Sequence, residues 1–383
     1  MAYDPFSLVG DGFRRAPRGP VVSDNERMIL RRLHAAPGST RAELSPRFDI
    51  SQQSVHRIID QLTERGLIRL GPPRVAGRGQ PSPSLLLNGD FAHSWGLSLN
   101  TDDVGICLMD FAGVPIAQRQ LPIAGLGREA VLDMIVAQMA DIGAEHGRGA
   151  DRCLGVALGI SGYWISGTQF NAPLPLHDWS LIELGPLLYA RFGLPVWIDN
   201  NGNTAAMGEM MLGLGRHFHT FAYVSFNFGL GGGLIVDGEL LPGGNRNAGE
   251  ISGIYTVDEH DRRPALQFLL PRLIAAGVPI STIAELSRDF DPDWPEVSGW
   301  VEEVMPAFDR LVAALWAVID PQAVVLGGQI PRKLAEALIA RCQPYRNTRY
   351  GIQRPMPKLM VSDLGAEAAA LGAAALPLRK CAL

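Results

Sequence analysis

Asn200, Asn201 and Asn203 crowd behind Asp199 in the stretch IDNNGNTAAMGE (198–209). A carboxamide donates and accepts hydrogen bonds, so it can hold a hydroxyl-bearing ligand. It is far too weak a base to take a proton in a transition state. The apolar run ahead of the cluster and the alanine-rich run behind it place it where a strand end meets a helix start, a common ligand position in α/β sheets. The same amides would also serve merely to cap that helix and satisfy strand-end backbone groups. A second polar set is SQQSVHR, with Ser51, Gln52, Gln53, Ser54, His56 and Arg57. It is followed by Arg74, Arg78 and Gln80 in GPPRVAGRGQPSP. Gln can pair bidentately with adenine, and Arg with guanine or phosphate.

The elements that must carry the second set are readable. SDNERMILRRLHAA has Ile29, Leu30 and Leu33 at helical spacing, with Asp24 or Asn25 as caps. Ser39 opens a short second helix over Ala42, Glu43 and Leu44. Ser51 caps a third, SQQSVHRIIDQLTERG, whose apolar face is Val55, Ile58, Ile59 and Leu62 and whose carboxyl cap is Gly66. The strands LIRL and SLLL then flank the Gly/Pro loop. Helix, short helix, helix and a two-stranded wing is the winged helix-turn-helix order. Arg between glycines at the wing tip suits a minor groove. Charge agrees: residues 1–90 hold 13 Arg, no Lys and 9 acids, a balance of +4, against −9 for the remainder. A solvated polar helix face on a small docking domain is the plainer alternative.

The first set needs a different scaffold. From Ser94 onward WGLSLN, VGICLMDF and PIAQRQLPI read as successive strands. A helix (REAVLDMIVAQMADIGAEHG), the strand CLGVALGISG and the strand LPVWIDNN with its Ala/Met helix follow. TFAYVSFNFGLGGGLIVDGELL restarts the theme, residues 263–315 read as helical, AVVLGGQI is a late buried strand, and EAAALGAAALPL is a closing helix. Two such halves in series give a two-lobed α/β body with a cleft. The four cysteines (Cys107, Cys153, Cys342, Cys381) lack CxxC spacing, which fits reduced thiols and not a disulfide framework. There is no secretory signal and no apolar run of about 18 residues. A soluble cytoplasmic protein without a membrane segment is expected.

Residues 94–378 resemble the ROK family, which includes bacterial sugar kinases and sugar-responsive repressors. The resemblance is carried by FGLPVWIDNNGNTAAMGE (192–209), GLGGGLIVDGELLPGGNRNAGEISG (229–253), DPQAVVLGG (320–328) and LGAEAAALGAAAL (364–376). It implies an actin-like (ribonuclease H-like) two-lobed ATPase fold. It divides the chain into a flexible arm (1–20), a winged helix-turn-helix (21–90), a first lobe (91–200) to which the C-terminal helix returns, and a second lobe (201–383).

The departures from the family pattern matter more. The kinases read E-N-D-A-N-A-A-A-L-G-E, with the Asp as base; here Asn201 stands at that Asp. Their first phosphate loop, G-I-D-L-G-G-T, is GLSLNTD (96–102), which loses both glycines, puts Ser98 at the Asp and adds the charge of Asp102. Their second loop, G-T-G-I-G-G-G, is NFGLGGG (227–233), with Phe228 at the Thr. Their zinc motif, G-E-I-G-H with later cysteines, is GEISG (249–253), with Gly253 at the His. Asn200 and Glu250 correspond to sugar-hydroxyl ligands, and Ser161 with Gly162 to a sugar-contact turn. The resemblance implies a DNA-binding regulator, a repressor of carbohydrate-related genes. Asn200, Asn201, Glu250 and Gly162 would bind a sugar or sugar derivative without phosphorylating it. No cofactor, no catalytic residue and no structural zinc are expected. A homodimer or homotetramer would bind a palindromic operator. The alternatives are an ATP-dependent sugar kinase, with Asp199 as a displaced base, and a DNA-binding protein whose body is only an oligomerisation scaffold.

Overall fold

The computed structural model describes residues 22–74, 81–344 and 348–383. The arm and the wing-tip residues Arg78 and Gln80 lie outside the described residues. The head comprises α1 (Asp24–Ala35), α2 (Arg41–Leu44), α3 (Gln52–Glu64), β1 (Ile68–Arg74) and β2 (Ser82–Leu87). β1 and β2 pair antiparallel, with Ile68 opposite Leu87.

The caps of the first two helices differ from the sequence reading. Ser23, not Asp24 or Asn25, caps α1, because its partner Glu26 lies three positions on and closes a capping box. Asp24 then sits in the first turn, where its charge meets the helix dipole. Thr40, not Ser39, caps α2 by the same box with Glu43. Ser51 caps α3 as expected, accepting from the Ser54 N–H at 3.2 Å. Gly66 follows α3 at φ 80°, a left-handed position that glycine occupies without strain.

The body has two five-stranded sheets of matching topology. The first uses β3 (His93–Leu99), β4 (Asp103–Asp110), β5 (Pro115–Pro122), β6 (Cys153–Ile160) and β9 (Val196–Asn200), in the order β5-β4-β3-β6-β9. β3, β4 and β5 form an antiparallel meander, and β6 and β9 add in parallel. α4 (Arg128–Glu145) and α5 (Leu184–Phe192) flank it, and the hairpin β7 (Tyr163–Ser166) and β8 (Gln169–Asn171) projects after β6. The second sheet repeats the plan after α6 (Asn201–Leu212). It uses β10 (Phe221–Phe226), β11 (Leu230–Val236) and β12 (Glu239–Leu240). The parallel strands β13 (Ala323–Gly328) and, beyond the small ribbon β14 (Thr348–Arg349) and β15 (Ile352–Gln353), β16 (Lys358–Val361) complete it. Residues 263–315 are not one continuous helical stretch. α7 (Leu266–Ala275), α8 (Ile283–Asp289) and α9 (Val297–Ile319) are separate, and Gly277 at φ 86° ends the first. α10 (Arg332–Arg341) precedes β14, and α11 (Ala368–Cys381) closes the chain.

α6 and α11 are buried on nearly every face, as helices between two layers must be. They touch through glycines: a Cβ added at Gly372 would lie 1.7 Å from the Thr204 carbonyl oxygen. α11 also lies on β3, where a Cβ on Gly96 would meet the Ala370 carbonyl at 2.1 Å and Ser94 donates to the Ala374 carbonyl at 2.6 Å. The C-terminal helix thus packs against the first sheet, while α6 packs against β11 of the second.

Candidate DNA-reading surface and effector site

The amphipathic sequence of α3 sorts its side chains. Val55, Ile58, Ile59 and Leu62 are buried in the head core, and Gln52, Gln53 and Arg57 are exposed with Ser51. Ser54 is half-buried, its hydroxyl 2.9 Å from that of Ser51. His56 is half-buried, with an Nε2 that finds no partner. Asp60, one turn beyond His56, is taken by Arg41 of α2 at 2.5 Å. Arg57 and the two glutamines therefore project from a helix fixed on its other side. Arg74 is exposed at the foot of the wing, where its Nη1 donates to the Gly38 carbonyl at 2.8 Å and clips the wing to the α1–α2 turn.

The head is docked on the body. Arg27 donates to the carbonyls of Arg379 (2.9 Å) and Leu383 (3.2 Å). Arg31 donates to Leu383 at 2.5 Å and pairs with Glu239, which also pairs with Arg379. Ala382 and Leu383 belong to the apolar cluster that contains Ile29, Leu30 and Leu33. Beside them His34 faces the turn at Gly113; burial, then Arg216 and Arg379, push its imidazole down to about 4.

The second site lies where the lobes meet. Asn200 is the cap of α6: its Oδ1 accepts from the Gly202 N–H at 2.6 Å. Its Nδ2 donates to the Gly162 carbonyl at 2.6 Å and to Glu250 at 3.1 Å. Three of the four expected effector residues thus converge, and all three keep part of their surface open. Both readings of Asn200, cap and ligand holder, draw on the same amide: one end caps and the other faces Glu250. Burial raises the Glu250 carboxyl above its ordinary range. Asp199 is raised likewise by burial, against hydrogen bonds from Asn203 and the Asn200 N–H and the charges of Arg246 and Lys380. Its Oδ1 is committed to Asn203 and to Asn200 N, both at 2.8 Å.

Asn201 is placed differently. It is 3% exposed and its amide is used internally. Nδ2 donates to the Leu99 carbonyl (2.9 Å) and to Asn100 Oδ1 (3.0 Å), with Ser161 Oγ at 3.3 Å, and Oδ1 accepts from Ser98 at 3.3 Å. The residue at the base position ties the β3–β4 turn to α6. A carboxylate there would face two acceptors.

The rest of the degenerate loop is also occupied. Asp102 is not a stray charge in an open phosphate path. It accepts from the Ala284 N–H at the start of α8 (2.8 Å) and, with Asp103, from Gln329 (3.4 and 2.9 Å). An internal carboxylate thereby fills the helix N-terminus that favours an anion. In the second loop, Gly232 serves packing: a Cβ on it would lie 2.5 Å from the Tyr223 carbonyl oxygen. Phe228 lies against the second-lobe core. After Gly253 the chain is tied to α9: Tyr255 donates to the Ala307 carbonyl at 2.8 Å, and Glu259 pairs with Arg310. Among the described residues no group of three or more His, Cys, Asp or Glu side chains is gathered for a metal.

Two further cleft residues carry no local signal in the sequence. Asn247 exchanges hydrogen bonds with the Trp164 backbone (2.8 and 3.0 Å), and Arg246 stacks over the Trp164 ring at 5.3 Å. Together they clip β7 to the loop before Glu250. The partners are 83 residues apart, so no local spacing announces them.

Residues 95–262 match the ROK family model, and residues 22–79 match the MarR family model. Residues 95–262 form a ROK-family domain behind a MarR-type winged-helix domain at 22–79. A protein of Sinorhizobium fredii, uncharacterised, is 25% identical over 366 residues, 94% of this chain and 91% of its own. The xylose repressor of Caldicellulosiruptor bescii is 27% identical over 241 residues, 62% of this chain and 59% of its own. A crystal structure of a ROK family transcriptional regulator, a homologue of the Escherichia coli Mlc protein, superposes with a TM-score of 0.67 at 20% identity. It covers 99% of this chain and 97% of that one. That likeness establishes the ROK fold with its head. No helix among the described residues is long and apolar enough to cross a membrane.

Proposed function

We propose that the protein is a cytoplasmic DNA-binding transcriptional regulator, a repressor of carbohydrate-related genes, whose body binds a sugar or sugar derivative and does not phosphorylate it. The observation that carries the second half is Asn201: the base position holds a buried amide donating to Leu99 and Asn100. The first half is supported by the exposed Gln52, Gln53 and Arg57 on a winged-helix third helix and by the repressor among the relatives. Asn200, Glu250 and the Gly162 turn hold the ligand hydroxyls, with Asn247 bracing the opposite wall. Sugar binding rearranges the Asn200–Glu250 contact at the start of α6. α6 is locked to α11, and α11 with the two residues that follow it carries the carbonyls that Arg27 and Arg31 hold, so the shift reaches the head. Paired heads in a homodimer or homotetramer read a palindromic operator. A coupling of about 1–3 kcal/mol changes operator affinity roughly 5–150-fold.

The test is binding to a site selected from random duplexes. Gln53→Ala and Arg57→Ala each lower specific affinity while leaving non-specific binding nearly intact. Unchanged specific affinity in both variants would remove α3 as the reading element and overturn the proposal.

A further inference from the structure

A second cavity lies in the first lobe, at the opposite end of the sheet from Asn200. The cleft residues follow the carboxyl ends of β3, β6 and β9. The cavity opens at their amino ends, about 20 Å away at roughly 3.3 Å per strand residue. Its volume is about 580 Å³, within the usual range for small-molecule sites. Trp95, Met139, Phe192 and Leu194 give it an apolar wall between α4 and α5.

Two polar groups in that wall lack partners. His93 is 1% exposed, and neither ring nitrogen makes a hydrogen bond. Burial, then the charge of Arg148, push its imidazole down to about 4, so it is neutral at physiological pH. Arg148 also lines the cavity, and its buried Nε–H is unsatisfied while its Nη2 holds Asp90 at 2.8 Å. Leaving such groups unpaired in a buried wall is unfavourable, and a bound ligand would satisfy them. The lining includes Arg148 and Arg191, paired at its rim with Asp90 and Asp133, and no Asp or Glu; the Arg148 Nε–H remains the open donor. An anion is favoured over a cation.

We infer that this cavity is a second ligand site, for an aromatic monocarboxylate whose ring lies against Trp95 and Phe192. Its carboxylate accepts from Arg148 Nε and from the protonated nitrogen of His93. The site adjoins the segment that joins head to body. Asp90 receives Arg148 through its side chain and Arg152 through its carbonyl, the latter at 3.1 Å. A ligand that recruits Arg148 therefore acts on the head through the connecting segment, separately from any sugar in the cleft.

Calorimetric titration of the full chain with indole-3-acetate, and with the neutral indole-3-acetamide, tests this. Saturable binding of the acid, with at least tenfold weaker binding of the amide, is expected. Arg148→Gln and Ala140→Phe, which fills the cavity from the lining position Ala140 on α4, should each weaken acid binding at least tenfold. Glu250→Gln in the cleft should leave it unchanged. Circular dichroism of each variant confirms folding, and two independent variants guard against loss of one. Absence of saturable binding by wild type, equal binding of acid and amide, or binding indifferent to both cavity variants would overturn the inference. Because the readout is binding alone, a failure here is separable from a failure of the DNA-reading proposal.

Discussion

The amide that stands at the family's base position is built into the interior. Asn201→Asp would restore the family acid, yet it would place a carboxylate against the Leu99 carbonyl and Asn100 Oδ1. Loss of the donated bonds in a buried setting costs about 1–3 kcal/mol. The variant should melt several degrees lower and form no phosphosugar, which thermal unfolding and an ATP-coupled assay check. Glu250 gives a pH prediction. Its folded pKa lies above the ordinary 4.5. Its contribution to stability is therefore complete below about 4.5 and is lost as pH rises through the raised folded value. Glu250→Gln should gain stability relative to wild type between pH 4.5 and neutrality; a constant difference across that range would refute the burial argument. The substitution at position 201 was legible in the sequence, because the motif aligns without a gap. That Asn201 turns inward and Asn200 outward was not, since adjacent residues at a strand–helix junction diverge by backbone geometry. Nor was the role of Asp102: its partners Ala284 and Gln329 come from distant elements.

At the scale of elements, α6 and α11 form the link between cleft and head. Gly372 lets them touch, and Gly372→Ala forces a Cβ onto the Thr204 carbonyl. Overpacking of this kind typically costs about 1–3 kcal/mol, sometimes more, so a matching drop in stability is expected by denaturant unfolding. Arg31→Ala removes the grip on Leu383 and Glu239. It should leave sugar affinity unchanged but shrink the effect of sugar on operator affinity; undiminished coupling would show that the signal travels elsewhere. His34 makes the same seam pH-sensitive. Its folded value near 4 lies below the ordinary 6.5. Its stabilising contribution is full above about 6.5 and is lost as pH falls toward 4. His34→Gln should flatten the low-pH loss of stability. Strands with clean apolar runs and the capped helix α3 were readable from periodicity. The breaks between α7, α8 and α9 were not, because apolar spacing persists across the turn at Gly277. The β7–β8 hairpin and the short strands β14 to β16 carry too few residues for a period to register.

For the whole molecule, the sequence conveys two modules and two repeated halves, since composition and motif order extend over hundreds of residues. Where the modules touch is invisible in it. The head–body seam depends on Arg27, Arg31 and His34 meeting α11 and the Gly113 turn, residues that otherwise look like an ordinary solvated helix face. That seam gives the body a physical handle on DNA affinity, provided a ligand changes the cleft without being consumed. The most direct measurement is operator binding by fluorescence anisotropy against a panel of sugars, with ATP and magnesium present and phosphosugar assayed in the same samples. The account predicts that at least one sugar shifts operator affinity by roughly 5–150-fold and is recovered unphosphorylated. ATP-dependent formation of phosphosugar, or operator affinity indifferent to every sugar that binds the body, would contradict it.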